Sequence, residues 1–82
     1  MVLDYRRRRV YGDDGREVRR VHEYFVLWVG YPEAEASWEP AANLNARGLV
    51  MDYRAASRQQ QLALRERRVA IEAGQRQARG EL

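Results

Sequence analysis

Eighty-two residues make one small domain with a single modest core, because a chain of this length buries only about 60–65% of the surface it exposes when unfolded. With 45% hydrophobic residues, no cysteine and a lone histidine, His22, it has neither a disulfide framework nor a Cys/His zinc site, so the core must hold itself, as suits a reducing intracellular compartment. All fifteen basic residues are arginine, gathered toward the two ends, and the net charge of +3 permits an acidic partner without requiring one. No apolar run approaches the roughly 20 residues that span a bilayer, and Met1-Val2-Leu3 passes straight into Asp4 and arginines, so no membrane partner and no signal peptide are expected.

Val2 to Tyr11 reads as a strand that stops at the turn signal Gly12-Asp13-Asp14-Gly15. A return strand follows from about Val18 to Val29, dense in the β-branched and aromatic residues that fit a pleated surface. Gly30-Tyr31-Pro32 breaks it, Glu33 to Ala36 forms a loop, and a short third strand, Ser37-Trp38-Glu39, ends at Pro40. Asn45 is a suitable N-cap for a helix whose Leu49, Val50 and Tyr53 form an apolar stripe toward the sheet. From Ala55 to Arg79 the only breaker is Gly74, so the helix is expected to run on. Its apolar content is thin. Ala56, Ala63 and Ala70 recur at seven, flanked by Ala55, Leu62 and Val69, which is a weak coiled-coil seam, and a frayed, solvated helix is the expectation preferred to it. The whole is an α+β domain: a small three-stranded antiparallel curved sheet packed against a C-terminal helix, with residues 1–57 as the folded unit and residues 58–82 as a helical extension.

The segment Tyr24 to Pro32 (YFVLWVGYP), followed by Ser37-Trp38-Glu39-Pro40 and Asn43-Leu44, resembles the chromodomain signature in order and spacing, and a looser resemblance runs from about Val2 to Ala55. The resemblance implies a non-enzymatic nuclear reader of a methylated lysine in an extended histone tail, histone H3 favoured, with the tail added as a strand. It implies Trp28 and Tyr31 as two walls of an aromatic cage, Glu35 as an acidic border, and Glu39, Asn43 and Asn45 as polar contacts to the tail. Trp38 is expected to be a core residue with a satisfied N–H. Electron-rich ring faces suit this ligand, since a methylated ammonium keeps its charge but loses donors and hydration.

The third wall of the family cage would precede Met1; Tyr5 or Tyr11 is the alternative source of that wall, and an incomplete cage is the remaining reading. Relatives place Lys or another polar residue where Leu27 and Val29 stand, so Phe25, Leu27 and Val29 make an apolar row in period two. Either the C-terminal helix folds back on it through Leu62, Leu64 and Val69, or it is a self-association face that makes a homodimer. Arg6, Arg7, Arg8 and Arg9 are candidates for an auxiliary nucleic-acid contact, with a solvated strand face as the alternative. Ser37 and Ser57 lie on no nucleophile elbow, His22 has no evident Asp partner, and no phosphate-loop, dinucleotide or metal motif is present, so no catalytic residue, cofactor or metal is expected. A rival to the reader is the chromodomain of a retroelement integrase with an incomplete cage, a targeting or dimerisation module.

Overall fold

The computed structural model describes residues 1–80. Strands β1 (Val2–Tyr11) and β2 (Glu17–Val26) form a long antiparallel hairpin, and the short strand β3 (Ser37–Pro40) pairs with the end of β2, giving the order β1-β2-β3. Two single-turn 3₁₀ segments, Glu33–Glu35 and Ala41–Asn43, flank β3, and helices α1 (Arg47–Ala55) and α2 (Arg58–Ala78) complete the α+β architecture. The hairpin reverses where its glycines predict. Gly15 adopts φ 80°, a conformation open to a residue without Cβ, and its N–H donates to the Gly12 carbonyl at 3.0 Å.

Register decides which side chains share a face. Val2 is opposite Val26 and Asp4 is opposite Phe25, so Leu3 is an extra residue, and this bulge turns Leu3 and Asp4 together toward the Phe25 side. Pairing is then regular as far as Val10, which places Tyr5, Arg7 and Arg9 on one face with Tyr24, His22 and Arg20. Arg6 and Arg8 lie on the other face with Glu23. There Glu23 Oε1 accepts from Arg6 Nε at 2.8 Å and from Arg8 Nε at 3.1 Å. The Arg6 guanidinium also lies 4.1 Å from the Trp38 ring centroid.

Each face carries its own core. On the first, Val2, Tyr24 and Val26 pack against Tyr53 of α1, supported by Leu44, Leu49 and Val50. On the second, Leu3, Phe25 and Ala36 pack against Ile71 of α2, and Leu64 touches both clusters. Helix α2 is therefore part of the fold: it folds back as one expectation had it, through Leu64 but not Leu62 or Val69, and is not a solvated extension; residues 81 and 82 lie outside the described residues. An isolated helix of this composition is marginal, and packing of one stripe is what sustains it. The stripe is Leu64 and Ile71, which are also seven apart, and not the alanine repeat: Leu62, Ala63, Val69 and Ala70 are exposed on the outer side.

The two helices are not continuous either. Ala56 is extended (φ −66°, ψ 148°), and Ser57 restarts the chain through a capping box in which its hydroxyl accepts from the Gln60 N–H while the Gln60 side chain accepts from the Ser57 N–H. Asn45 does not cap α1. Ala46 occupies that position with no side-chain bond. The expected row Phe25, Leu27, Val29 is interrupted because β2 ends at Val26: Phe25 is buried, Leu27 half-buried, and Val29 is 92% exposed.

Polar contacts fix how α2 lies. Asp4, only 2% exposed, accepts from Arg68 Nε at 2.9 Å, from Arg65 Nε at 3.3 Å and from the Tyr5 N–H at 2.7 Å. Arg68 also pairs with Glu72 at 2.7 Å, and Glu72 accepts from the Trp38 indole N–H at 3.1 Å, so Trp38 is half-buried with its donor satisfied, as expected. Gln75 Nε2 donates to the carbonyls of Glu33 at 3.0 Å and Ala36 at 2.7 Å, tying the far end of α2 to the loop before β3. Among the described residues, no helix is long and apolar enough to cross a membrane.

Three stability measurements check this arrangement. In urea denaturation, Ile71→Ala should cost about 2–4 kcal/mol, whereas Val69→Ala, on the exposed side of the same helix, should stay within about 0.5 kcal/mol. Asp4→Asn, which strands two guanidinium partners, should cost about 2–3 kcal/mol. Burial pushes the Glu23 carboxyl up, but hydrogen bonds from Arg6 and Arg8 outweigh it and hold its pKa below the ordinary 4.5. A depressed carboxylate stabilises the fold above its ordinary value and loses that contribution as pH falls through the lowered one. Denaturation midpoints should therefore fall on acidification below about pH 4.5, and Glu23→Gln should flatten that decline.

Candidate functional site

The sequence Trp28-Val29-Gly30-Tyr31 folds into a tight turn, closed by the Tyr31 N–H donating to the Trp28 carbonyl at 3.2 Å. Gly30 stands at its third position with φ 81°, the left-handed value that such a turn requires there and that L side chains rarely adopt. The turn opens both rings onto one recess of about 390 Å³, bordered also by Met1, Glu33 and Arg67. Trp28 is half-buried and packed against the Val2–Tyr24–Val26 cluster, whereas Tyr31 is exposed. One ring is thus anchored by the core and the other is free to adjust.

Such a recess suits a large, poorly hydrated cation, because ring faces attract positive charge and a carboxylate at the rim adds to the field. The carboxylate there is Glu33, not the expected Glu35. After Pro32 the chain makes a 3₁₀ turn, with the Glu35 N–H on the Pro32 carbonyl at 2.9 Å and the Ala36 N–H on that of Glu33 at 3.1 Å. At three residues per turn, positions two apart lie on different sides, so Glu35 is exposed away from the recess. Arg67 is the second group the sequence did not reveal. Its Nη2 lies 3.8 Å from Glu33 Oε2 and its Nη1 3.7 Å from Met1 Sδ, so α2 brings a cation of the protein's own to the rim.

Neither Tyr5 nor Tyr11 lines this recess. Tyr5 lies in a separate hollow with His22, Tyr24 and Tyr53, and Tyr11 is exposed at the far end of β1, opposite Glu17. Alternation and pairing separate them from the turn, so neither supplies a third wall here. Glu39 is half-buried opposite Tyr24 and accepts from the Ser37 hydroxyl at 2.8 Å; Asn43 and Asn45 are exposed, and none of the three borders the recess.

The four consecutive arginines do not form one patch. Arg6 and Arg8 are engaged with Glu23, while Arg9 lies on the opposite face, 3.8 Å from a Glu17 carboxylate that also accepts from Arg20 at 2.9 Å. Strand alternation divides them, and paired carboxylates neutralise part of the charge.

Residues 2–55 match the model of the Chromo (CHRromatin Organisation MOdifier) domain. Heterochromatin protein 1 of Drosophila melanogaster is 41% identical over 39 residues, covering 48% of this chain and 19% of that protein. Chromobox protein homolog hpl-1 of Caenorhabditis elegans is 42% identical over 38 residues, covering 46% of this chain and 21% of its own. Each match thus spans about a fifth of the relative's length. No solved structure gave a significant match. With the family model covering more than half of its residues, and with the sheet and turn described above, the chain belongs to the Chromo domain family.

Proposed function

We propose that this chain is a chromatin reader that holds a methylated lysine of an extended histone tail between Trp28 and Tyr31. The observation that carries the reading is the Gly30 turn, which opens an anchored and a free aromatic ring onto one recess with the Glu33 carboxylate at its rim. The family description and the names of the relatives, heterochromatin protein and chromobox protein, support a role in chromatin and hence in the nucleus. Each desolvated cation–π contact contributes roughly 0.5–2 kcal/mol, so two rings give selectivity but fall short of the roughly −8 kcal/mol of micromolar binding. The tail's own main chain supplies the rest by adding as a strand, with Glu39, Asn43 and Asn45 as its polar partners and the methylated histone H3 tail as the favoured ligand. Nothing in this mode of action calls for a catalytic group or a cofactor.

A second reading is favoured by one observation: among the described residues two rings meet at the recess, and Arg67 borders it with a like charge to the ligand's. In that reading the cage is incomplete and the domain is a targeting or self-association module of the kind found in retroelement integrases, with the exposed Val29 beside Leu27 as part of a homodimer contact. Fluorescence anisotropy with matched trimethylated and unmodified histone H3 tail peptides separates the two. The reader should prefer the trimethylated tail, and Trp28→Ala and the better-exposed Tyr31→Ala should each weaken that binding by roughly tenfold. Equal, weak binding of both peptides would give the function to the second reading.

A further inference from the structure

The hairpin face that carries Tyr5 continues into a trough that the Trp28–Tyr31 recess does not share. One part of it, about 680 Å³, is lined by Tyr5, His22, Tyr24 and Tyr53 together with Arg54 and Arg65. Two further hollows adjoin it through Ala41, one bordered by Arg19 and Arg20 and the other by Arg47 and Arg54. Among the described residues, no aspartate or glutamate lines any of the three. On the opposite face Glu23 neutralises Arg6 and Arg8, whereas on this one Glu17, at the hairpin's far end, engages Arg9 and Arg20.

The rings in the trough form a platform. Tyr5 and His22 stack with centroids 5.9 Å apart and planes 18° from parallel, held by a hydrogen bond between the Tyr5 hydroxyl and His22 Nδ1, and Tyr24 lies against Tyr5 at 5.2 Å. His22 is exposed and Tyr5 half-exposed, so the platform is open to a planar ligand. Arg7 is opposite His22 on the same face, and Arg54, in the last turn of α1, lines the trough. Both are exposed, and among the described residues neither has an ion-pair partner. Asp4 holds Arg65 and Glu17 holds Arg20, but Arg7 and Arg54 are left to attract anions, and stacked rings next to them add a surface for flat heterocycles.

Those two features in one trough describe a ligand that is both polyanionic and aromatic. We infer that the trough binds single-stranded nucleic acid, with unpaired bases stacking on Tyr5 and His22 and flanking phosphates held by Arg7 and Arg54. An acidic peptide would use the arginines and leave the rings idle, and a duplex keeps its base faces stacked internally, so a single strand uses the whole surface. The inference does not depend on methyl-lysine reading, since Trp28 and Tyr31 take no part in it.

The test is fluorescence anisotropy of the full chain with a labelled oligothymidylate over a series of salt concentrations. Binding should weaken steeply with salt; Arg7→Gln with Arg54→Gln should reduce affinity at least roughly tenfold and lower the log–log salt slope by about 1.4, the value for two phosphate contacts to a single strand. Tyr5→Leu, and independently His22→Ala at the more exposed ring, should weaken binding by roughly tenfold with the slope unchanged. Arg16→Gln with Arg76→Gln removes the same charge outside the trough and should leave affinity close to that of the parent. Absence of salt-dependent binding, an equal loss in the charge-matched control, or a poly-glutamate peptide bound as tightly as the oligonucleotide would each overturn the assignment.

Discussion

Taking a carboxylate out of water costs several kcal/mol unless donors and cations replace the water it loses, and Asp4 is 2% exposed in a protein too small to hide a charge in a large interior. The bulge at Leu3 turns it away from solvent, and the replacement donors come from Arg65 and Arg68, at the other end of the chain. The same contact satisfies a second requirement. Helix α2 has too few apolar residues to persist in solution, and the salt bridge holds Leu64 and Ile71 against the second core, where Ile71 is buried and Leu64 half-buried. Neither the charge nor the helix is stable where it is without the other.

The docked helix then shapes the surface around the turn. Gln75 ties the Glu33–Ala36 loop to α2, Glu72 satisfies the Trp38 indole, and Arg67, one residue before the Asp4 partner Arg68, reaches the recess beside Trp28 and Tyr31. A helix that serves as a structural clamp thereby sets the electrostatics of the candidate binding site. Its cation stands near the place where a ligand cation is proposed to sit, and it is offset by Glu33 at 3.8 Å.

Antiparallel pairing gives the hairpin two different characters. On the Glu23 side, arginines are consumed in pairing with a buried carboxylate and in covering Trp38, a structural use in which their stems pack and their charges are compensated. On the Tyr5 side, among the described residues Arg7 and Arg54 have no ion-pair partner; Arg7 is opposite His22, and Arg54 lines the hollow with the tyrosines. One stretch of four like residues therefore serves two purposes, divided by a period of two.

By itself the sequence determined what depends on neighbouring residues: the hairpin and its glycine turn, the break at Gly30, the strand that closes at Pro40, and the helix with Leu49, Val50 and Tyr53 toward the sheet; that β2 ends at Val26, leaving Trp28 and Val29 to the turn, was not legible there. Turn chemistry and hydrophobic period act over a few residues, so they can be read in order along the chain. The capping box at Ser57 is equally local, but the run of good helix formers around it conceals the break at Ala56. Tertiary structure alone decided the rest: that Leu64 and Ile71 rather than the alanine repeat face the core, that Glu33 rather than Glu35 borders the recess, that Arg67 joins it, and that Tyr5 belongs to another hollow. Asp4 and Arg65 are 61 positions apart, and no period or propensity specifies a bond between two charges at that separation. It is settled only when the bulge, the sheet and the returning helix bring them together, because the cost of burying the carboxylate is offset there and nowhere else along the chain.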